Sequence, residues 1–362
     1  MRGLVFERPG ELRWRDVEAP ELQGPAEALV RPLAVARCDL DAGILRGEAP
    51  FRGRALHWLR NRLPDRIGQQ GIFRNAPFRG PFAFGHECVA EVLAVGSAVT
   101  GVAVGDRVVV PFQISCGACA ACGAGLTSSC DAVPPRSMYG FGDLGGRSWG
   151  GVLADRVRVP FADAMLVKVP DHVGSEVVAS LGDNVVDGYR TVAAPLAKHP
   201  GAAVLVVGGL AASVGLYAVA SAVALGAARV DYLDIDAARL EVAVRLGANP
   251  VRTARAYPIT VDASAHPGGL AKAVLATAPG GTCTSVGIYY TPRTPFPLLG
   301  AYGIGLTFVT GRVRSRAMLP EVLAMVAAGT LRPEEVTTRV ADWEDAPRAF
   351  LDAGPKVVVV RD

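Results

Sequence analysis

The sequence predicts an α/β chain in two parts, a mostly antiparallel, barrel-like β unit and a doubly wound parallel sheet flanked by helices. Three observations predict it. The length, 362 residues, is too great for one ordinary domain and suits two. Residues 1 to about 180 are dense in short β-type runs broken by Gly and Pro. From about 185 to 320 strand-like and helix-like runs alternate, the order that makes parallel βαβ units.

In the first part the runs ALVRPLAVA, CVAEVLAVG, DRVVVPFQI, LADRVRVPF and MLVKVP are short and rich in β-branched residues, as strands require. In the second, AAVLVVG precedes a helix at about 212 to 226, ARVDYLDI precedes AARLEVAVRLG, and ITVDASA precedes LAKAVLATAP; GTCTSVGIYY then supplies a further strand. A last helix, AMLPEVLAMVAAG, leads to the strand-like KVVVVRD, which is expected to return to the first unit. The expected domains are therefore 1–184 with 321–362, and 185–320.

Between Val204 and Ala228 lie 25 residues without a charge, long enough for a membrane-spanning helix. The run VLVV, however, meets Gly208 and Gly209 after four residues, and the helical run that follows is bounded by Gly226 and Arg229. A buried strand, a turn and a helix buried on most faces account for the pattern, since sheets covered on both sides read as continuous apolar runs. No membrane partner is expected.

Half of the residues are hydrophobic and a fifth charged, a soluble, folded composition. A net charge of +3 is too small to argue for a nucleic-acid partner. The first residues, MRGLVFERPGELRWRDVE, scatter charges where a secretory signal needs an apolar core, so a cytoplasmic location is expected.

Seven cysteines are present, and four of them, Cys116, Cys119, Cys122 and Cys130, lie in the 15 residues CGACAACGAGLTSSC. Four thiolates brought together by short loops complete a tetrahedral zinc shell with no open position, a site that stabilises structure and does no chemistry. An iron–sulfur cluster is the alternative occupant of four such cysteines.

This lobe follows Gly85-His86-Glu87 by about 30 residues. Together with Cys38 in ARCDLDAG, FGHECVAEV, LGDNVVDGYR and the βαβ unit after it, the chain resembles the zinc-containing medium-chain alcohol dehydrogenases over essentially its whole length. The resemblance implies a GroES-like catalytic domain carrying the structural zinc lobe, and a Rossmann dinucleotide-binding domain inserted before the C-terminal segment. It also implies a homodimer or homotetramer.

It implies a second, catalytic zinc, making two per chain, held by Cys38, His86 and Asp183 with the fourth position left for water or a substrate oxygen; alcohol dehydrogenase is itself a known instance of that arrangement. Glu87 resembles the family's neighbouring carboxylate, which binds the metal transiently or orients the site. A thiolate, an imidazole and a carboxylate leave zinc a Lewis acid that lowers the pKa of a bound alcohol, so that an alkoxide can expel hydride. Taken singly, a buried Cys is also a small hydrophobe and an Asp before a helix also an N-cap.

Two departures from the family stand out. Two positions after Cys38 the family usually has Ser or Thr to relay the alcohol proton, and here that residue is Leu40. Asp39 and Asp41 are the neighbouring candidates for the relay, although an acid at position 41 usually makes structural contacts in the family. Cys38 and His86 are separated by 47 residues, far more than is common. The extra segment, 47–81, includes FRGRALHWLRNRLPDRIGQQGIFRNAPFRG, which carries Arg52, Arg54, Arg60, Arg62, Arg66, Arg74 and Arg79 against one acid, Asp65; a lid favouring an anionic or large substrate, a solvated loop and a subunit contact are the three readings.

A Rossmann unit holds pyrophosphate on N–H groups at the start of its first helix, with a G-x-G-x-x-G turn for close approach. Registered on the helix, the six positions here are Leu210, Ala211, Ala212, Ser213, Val214 and Gly215, of which only the last is Gly. Gly208 and Gly209 are expected to move the tight turn upstream, and Ala212 places a methyl near the phosphates, predicting weakened cofactor affinity and not loss of the site. Asp234, 19 residues beyond Gly215, suits a hydrogen bond to the adenosine ribose and would repel a 2′-phosphate, favouring NAD(H). Arg239 matches a basic position of the family near that ribose, or is simply solvated.

The expected activity is therefore zinc- and NAD(H)-dependent interconversion of a small-molecule alcohol and its aldehyde or ketone. Conjugate reduction of a C=C bond with the same cofactor, and a non-catalytic nucleotide-binding or structural role, are the alternatives that Leu40 and the altered turn leave open.

Overall fold

The computed structural model describes residues 1–47, 78, 80–142, 148–254, 256–289 and 293–361. The arginines of the 47–81 insertion lie outside them, as does Asp65.

The described residues fold as an α/β protein with a mixed, mostly antiparallel sheet, a parallel one and a small three-stranded antiparallel one. Three strands of the first sheet place the site. The strand Ala28–Ala36 pairs antiparallel with Glu87–Val95 in a register that opposes Ala36 to Glu87 and Val35 to Cys88. Cys38, just past the end of one strand, and His86, just before the start of the next, therefore meet at one edge of the sheet although 47 residues separate them. On the other side of Ala28–Ala36 lies Val357–Val360, with Val358 opposite Ala36, so Lys356 arrives at the same edge. The strand Arg107–Val110 extends the sheet beyond Glu87–Val95 and leads to the four-cysteine lobe.

Among the described residues the parallel sheet has six strands, in the order Asn249–Pro250, Val230–Leu233, Val204–Val207, Tyr257–Asp262, Thr277–Ser285 and Thr307–Thr310. In chain order this is 3-2-1-4-5-6, the Rossmann arrangement, with its switch point between the first strand, Val204–Val207, and the fourth, Tyr257–Asp262. All four residues of Val204–Val207 are buried, and the helix Ala212–Ala224 buries ten of its thirteen residues. This explains the uncharged stretch physically: the strand is central and its helix is covered on most sides. No helix among the described residues is long and apolar enough to cross a membrane.

The helix Asn184–Lys198 packs along Ala212–Ala224, and Gly188 allows the close approach, since a Cβ there would lie 2.6 Å from that of Tyr217. Its N-terminus carries Asp183 and Asn184 to the sheet edge where Cys38 and His86 meet.

Candidate active site and dinucleotide turn

The turn that presents His86 depends on Gly85, whose φ of 88° lies in the left-handed region; Gly140 packs so closely against it that a Cβ on Gly140 would fall 2.4 Å from the Gly85 carbonyl oxygen. The imidazole then sits between the rings of Phe141 and Phe112, with centroids 4.6 and 5.5 Å away. Cys38 is the N-cap of the short helix Asp39–Leu45, and its Sγ accepts from the Leu40 N–H at 3.3 Å. Asp183 precedes a helix but makes no side-chain cap. Its carboxylate instead lies 3.3 Å from His86 Nε2 and accepts from Asn184 Nδ2 at 3.1 Å.

One ligand atom from each of Cys38, His86, Glu87 and Asp183 falls within 4.8 Å of the others, and all four residues are buried. Such a set fits a divalent cation, because two carboxylates and a thiol crowd together out of reach of water. Burial pushes the Cys38 thiol up to about 12, so a thiolate here requires a cation. Burial opposes protonation of His86, but Asp41 and Asp183 outweigh it and hold its pKa well above the ordinary value. Asp41 Oδ1 lies 3.4 Å from His86 Nδ1, while its Oδ2 accepts from the Cys38 N–H at 3.1 Å. The carboxylate thus orients both residues, leaving Nε2 to face the cluster.

Glu87 is fully buried and faces Lys356, whose Nζ donates to Oε2 at 2.9 Å and Oε1 at 3.2 Å. Burial raises the Glu87 carboxyl to about 8 against the pull of Lys356. Lys356 also donates to Asn184 Oδ1 at 2.8 Å and to the Arg37 carbonyl at 3.0 Å. Sequence reasoning missed Asn184 and Lys356. The signs were there: Asn184 directly follows Asp183, and Lys356 is a lone charge at the mouth of the apolar strand VVVV. The Leu40 side chain is half-buried against the core and offers no proton relay.

The four-cysteine lobe is a second cluster of four donors within 4.8 Å. The N–H groups of Ala118 and Cys119 point at Cys116 Sγ, that of Cys116 at Cys130 Sγ, and those of Cys122 and Asp131 at Cys119 Sγ, at 3.3 to 3.5 Å. Those of Cys122 and Asp131 lower the Cys119 thiol to about 6, whereas burial raises Cys122 to about 12. The Cys119 and Cys130 sulfurs are 3.9 Å apart, far beyond a disulfide, and all seven cysteines are free.

At the dinucleotide turn, Gly208 and Gly209 are needed for space: a Cβ on Gly208 would lie 2.3 Å from Asp234 Oδ2, and one on Gly209 would lie 2.6 Å from Ser264. A Cβ on Gly215 would lie 3.0 Å from that of Ala263. Leu210 is exposed, and the N–H groups of Leu210 and Ala211 donate to the carbonyls of Ser264 and Ala263. Ala212 opens the helix, and the N–H groups of Ser213 and Val214 both donate to Asp39. Asp234 accepts from Tyr232, from the N–H groups of Ile235 and Asp236, and from Arg239 through Nε at 2.7 Å and Nη2 at 2.8 Å. Burial raises the Asp234 carboxyl, but these donors outweigh it and hold it below the ordinary value. Arg239 is therefore the partner of Asp234 and not a merely solvated cation.

A Rossmann sheet joined to a β unit, with a cation-fitting cluster at their meeting edge, defines a two-part oxidoreductase. A model of the "Alcohol dehydrogenase GroES-like domain" family matches residues 24–171. A Mycobacterium tuberculosis protein named "Probable zinc-binding alcohol dehydrogenase" is 28% identical over 98% of this chain and 85% of its own length. A "Medium chain reductase/dehydrogenase" of Acremonium is 30% identical over 73% of this chain and 80% of its own length. The solved structure of an alcohol dehydrogenase from a Thermus species superposes with a TM-score of 0.83 at 29% identity, covering 100% of both chains. The chain belongs to the zinc-containing medium-chain alcohol dehydrogenase family.

Proposed function

We propose that this oxidoreductase interconverts an alcohol and its aldehyde or ketone, using zinc on Cys38, His86 and Asp183 and NAD(H) on the Rossmann unit. The observation that carries the reading is the convergence of those three donors with Glu87, buried, within 4.8 Å. When bound, zinc supplies Lewis acidity at the substrate oxygen and the nicotinamide a hydride acceptor. The protein's own part is orientation and charge. Asp41 fixes the His86 ring, Asn184 holds the Asp183 carboxylate, and Phe112 and Phe141 flank His86 with apolar surface that excludes water. Lys356 keeps Glu87 compensated beside the cluster. A second zinc on Cys116, Cys119, Cys122 and Cys130 is structural, because four thiols leave no open position.

Asp234 supports NAD(H) over NADP(H), since a carboxylate held anionic where the adenosine ribose binds would repel a 2′-phosphate. Domains of 1–184 with 321–362, and 185–320, remain our division of the chain. A homodimer or homotetramer in the cytoplasm is the accompanying proposal; the exposed edge strand Thr307–Thr310 and the exposed Leu298, Leu299 and Tyr302 support self-association. The function is tested by incubating the zinc-loaded protein with panels of alcohols, carbonyls and conjugated enones and following nicotinamide absorbance with NAD(H) and NADP(H). Turnover of alcohols and carbonyls, faster with NAD(H), is expected; turnover of enones alone would establish the conjugate-reductase reading instead.

A further inference from the structure

The first Rossmann helix, Ala212–Ala224, begins without a side-chain cap from its own N-cap residue, Ala211. The cap comes from the other sheet's edge. Asp39, the residue after Cys38, reaches across and accepts from the Ser213 N–H at 3.0 and 3.1 Å, from the Val214 N–H at 3.4 Å and from Ser213 Oγ at 2.9 Å. These are donors of the helix N-terminus that a Rossmann unit turns toward pyrophosphate. The turn holds few substitutes for them. The N–H groups of Gly208, Leu210 and Ala211 already donate to the carbonyls of Leu233, Ser264 and Ala263. Nor does Lys356, the cation whose charge acts on Asp39, make a hydrogen bond to it; that ammonium donates to Glu87, Asn184 and the Arg37 carbonyl.

We infer that the Asp39 carboxylate is a tethered anion standing in the pyrophosphate place, and that a dinucleotide binds only by displacing it. Two effects oppose the ligand: the helix donors must be surrendered by Asp39, and its negative charge stays beside an incoming dianion. Asp39 is half-buried, at the start of the short helix Asp39–Leu45. Asp39 thereby lowers the affinity contributed by pyrophosphate while leaving the adenosine end untouched. The inference rests on the dinucleotide reading proposed above.

Calorimetric titration with adenosine, ADP-ribose and NADH separates these contributions. In the unaltered protein, ADP-ribose is expected to bind within about twofold of adenosine, because the pyrophosphate gain is offset by Asp39. In Asp39→Asn and Asp39→Ala, ADP-ribose and NADH should bind about tenfold tighter or more, with adenosine unchanged. Circular dichroism and zinc content, matched to the unaltered protein, establish that the variants are folded. ADP-ribose binding more than tenfold tighter than adenosine in the unaltered protein, or unchanged or weaker NADH binding in both variants, would overturn the inference while leaving the dinucleotide reading intact. Binding of none of the three ligands to any of the proteins would overturn both.

Discussion

The described residues hold two clusters of four metal-type donors, each within 4.8 Å, and they could hardly be built more differently. The lobe of Cys116, Cys119, Cys122 and Cys130 comes from 15 consecutive residues, with backbone N–H groups turned onto its sulfurs. The cluster of Cys38, His86, Glu87 and Asp183 comes from three distant places and is held by side chains, Asp41, Asn184 and Lys356. A local cluster can be closed by short loops alone. A dispersed one needs the register of Ala28–Ala36 against Glu87–Val95 and the placement of a helix end, so it exists only in the folded protein. On the proposed function the roles divide in the same way: four thiols would close a zinc shell, whereas Cys38, His86 and Asp183 would leave the fourth position for substrate.

The sharpest way to break this comparison is to remove one donor from each cluster. Cys38→Ala should lower kcat/KM about a thousandfold or more, through several kcal/mol of lost transition-state stabilisation, while the melting temperature moves little. Cys130→Ser should do the reverse in order, costing more than about 4 kcal/mol of stability, as loss of a structural metal does, with activity falling as the fold is lost. Steady-state kinetics beside thermal unfolding checks both.

The buried ion pair sharpens the account of how the dispersed cluster is supported. Lys356→Met leaves Glu87 without its cation, and denaturant unfolding should report a loss of about 3–5 kcal/mol. Adding Glu87→Gln to that variant removes the buried carboxyl left without its partner and should recover part of the loss.

Proton release gives a smaller, graded test. Because burial raises the Cys38 thiol to about 12, the thiol is protonated at pH 7 and zinc must displace the proton. His86, held protonated by Asp41 and Asp183, must lose one as well. Zinc affinity at this cluster should therefore rise with pH, by at least about tenfold per unit between pH 6 and 8. The difference between the unaltered protein and Cys38→Ala, measured by competition with a chelator, isolates it. The smallest effect is expected at the adenosine end, where Asp234→Ser should narrow the preference for NADH over NADPH by about tenfold in a binding titration.

The fold was legible because strand and helix runs alternate plainly after about residue 185, and the lobe because its cysteines are neighbours in sequence. Cys38, His86 and Asp183 were named through family motifs, since no periodicity tells that Ala36 stands opposite Glu87. What could not be read was the supporting polar network. Asp39 had been weighed as a proton carrier, yet its oxygens face the Ser213 and Val214 amides across the junction of the two sheets. Arg239 and Asp234 are five residues apart and still gave no hint of their bidentate pairing, because pairing depends on the turn into the helix Ala237–Arg245. Side chains that act across elements leave no local pattern.

The dispersed cluster is proposed to be a zinc site distinct from the lobe, and metal content decides it. Elemental analysis of the purified, zinc-supplied protein should give about two zinc per chain, falling to about one in Cys38→Ala with circular dichroism unchanged. A single zinc in the unaltered protein, or two retained after Cys38→Ala, would contradict it.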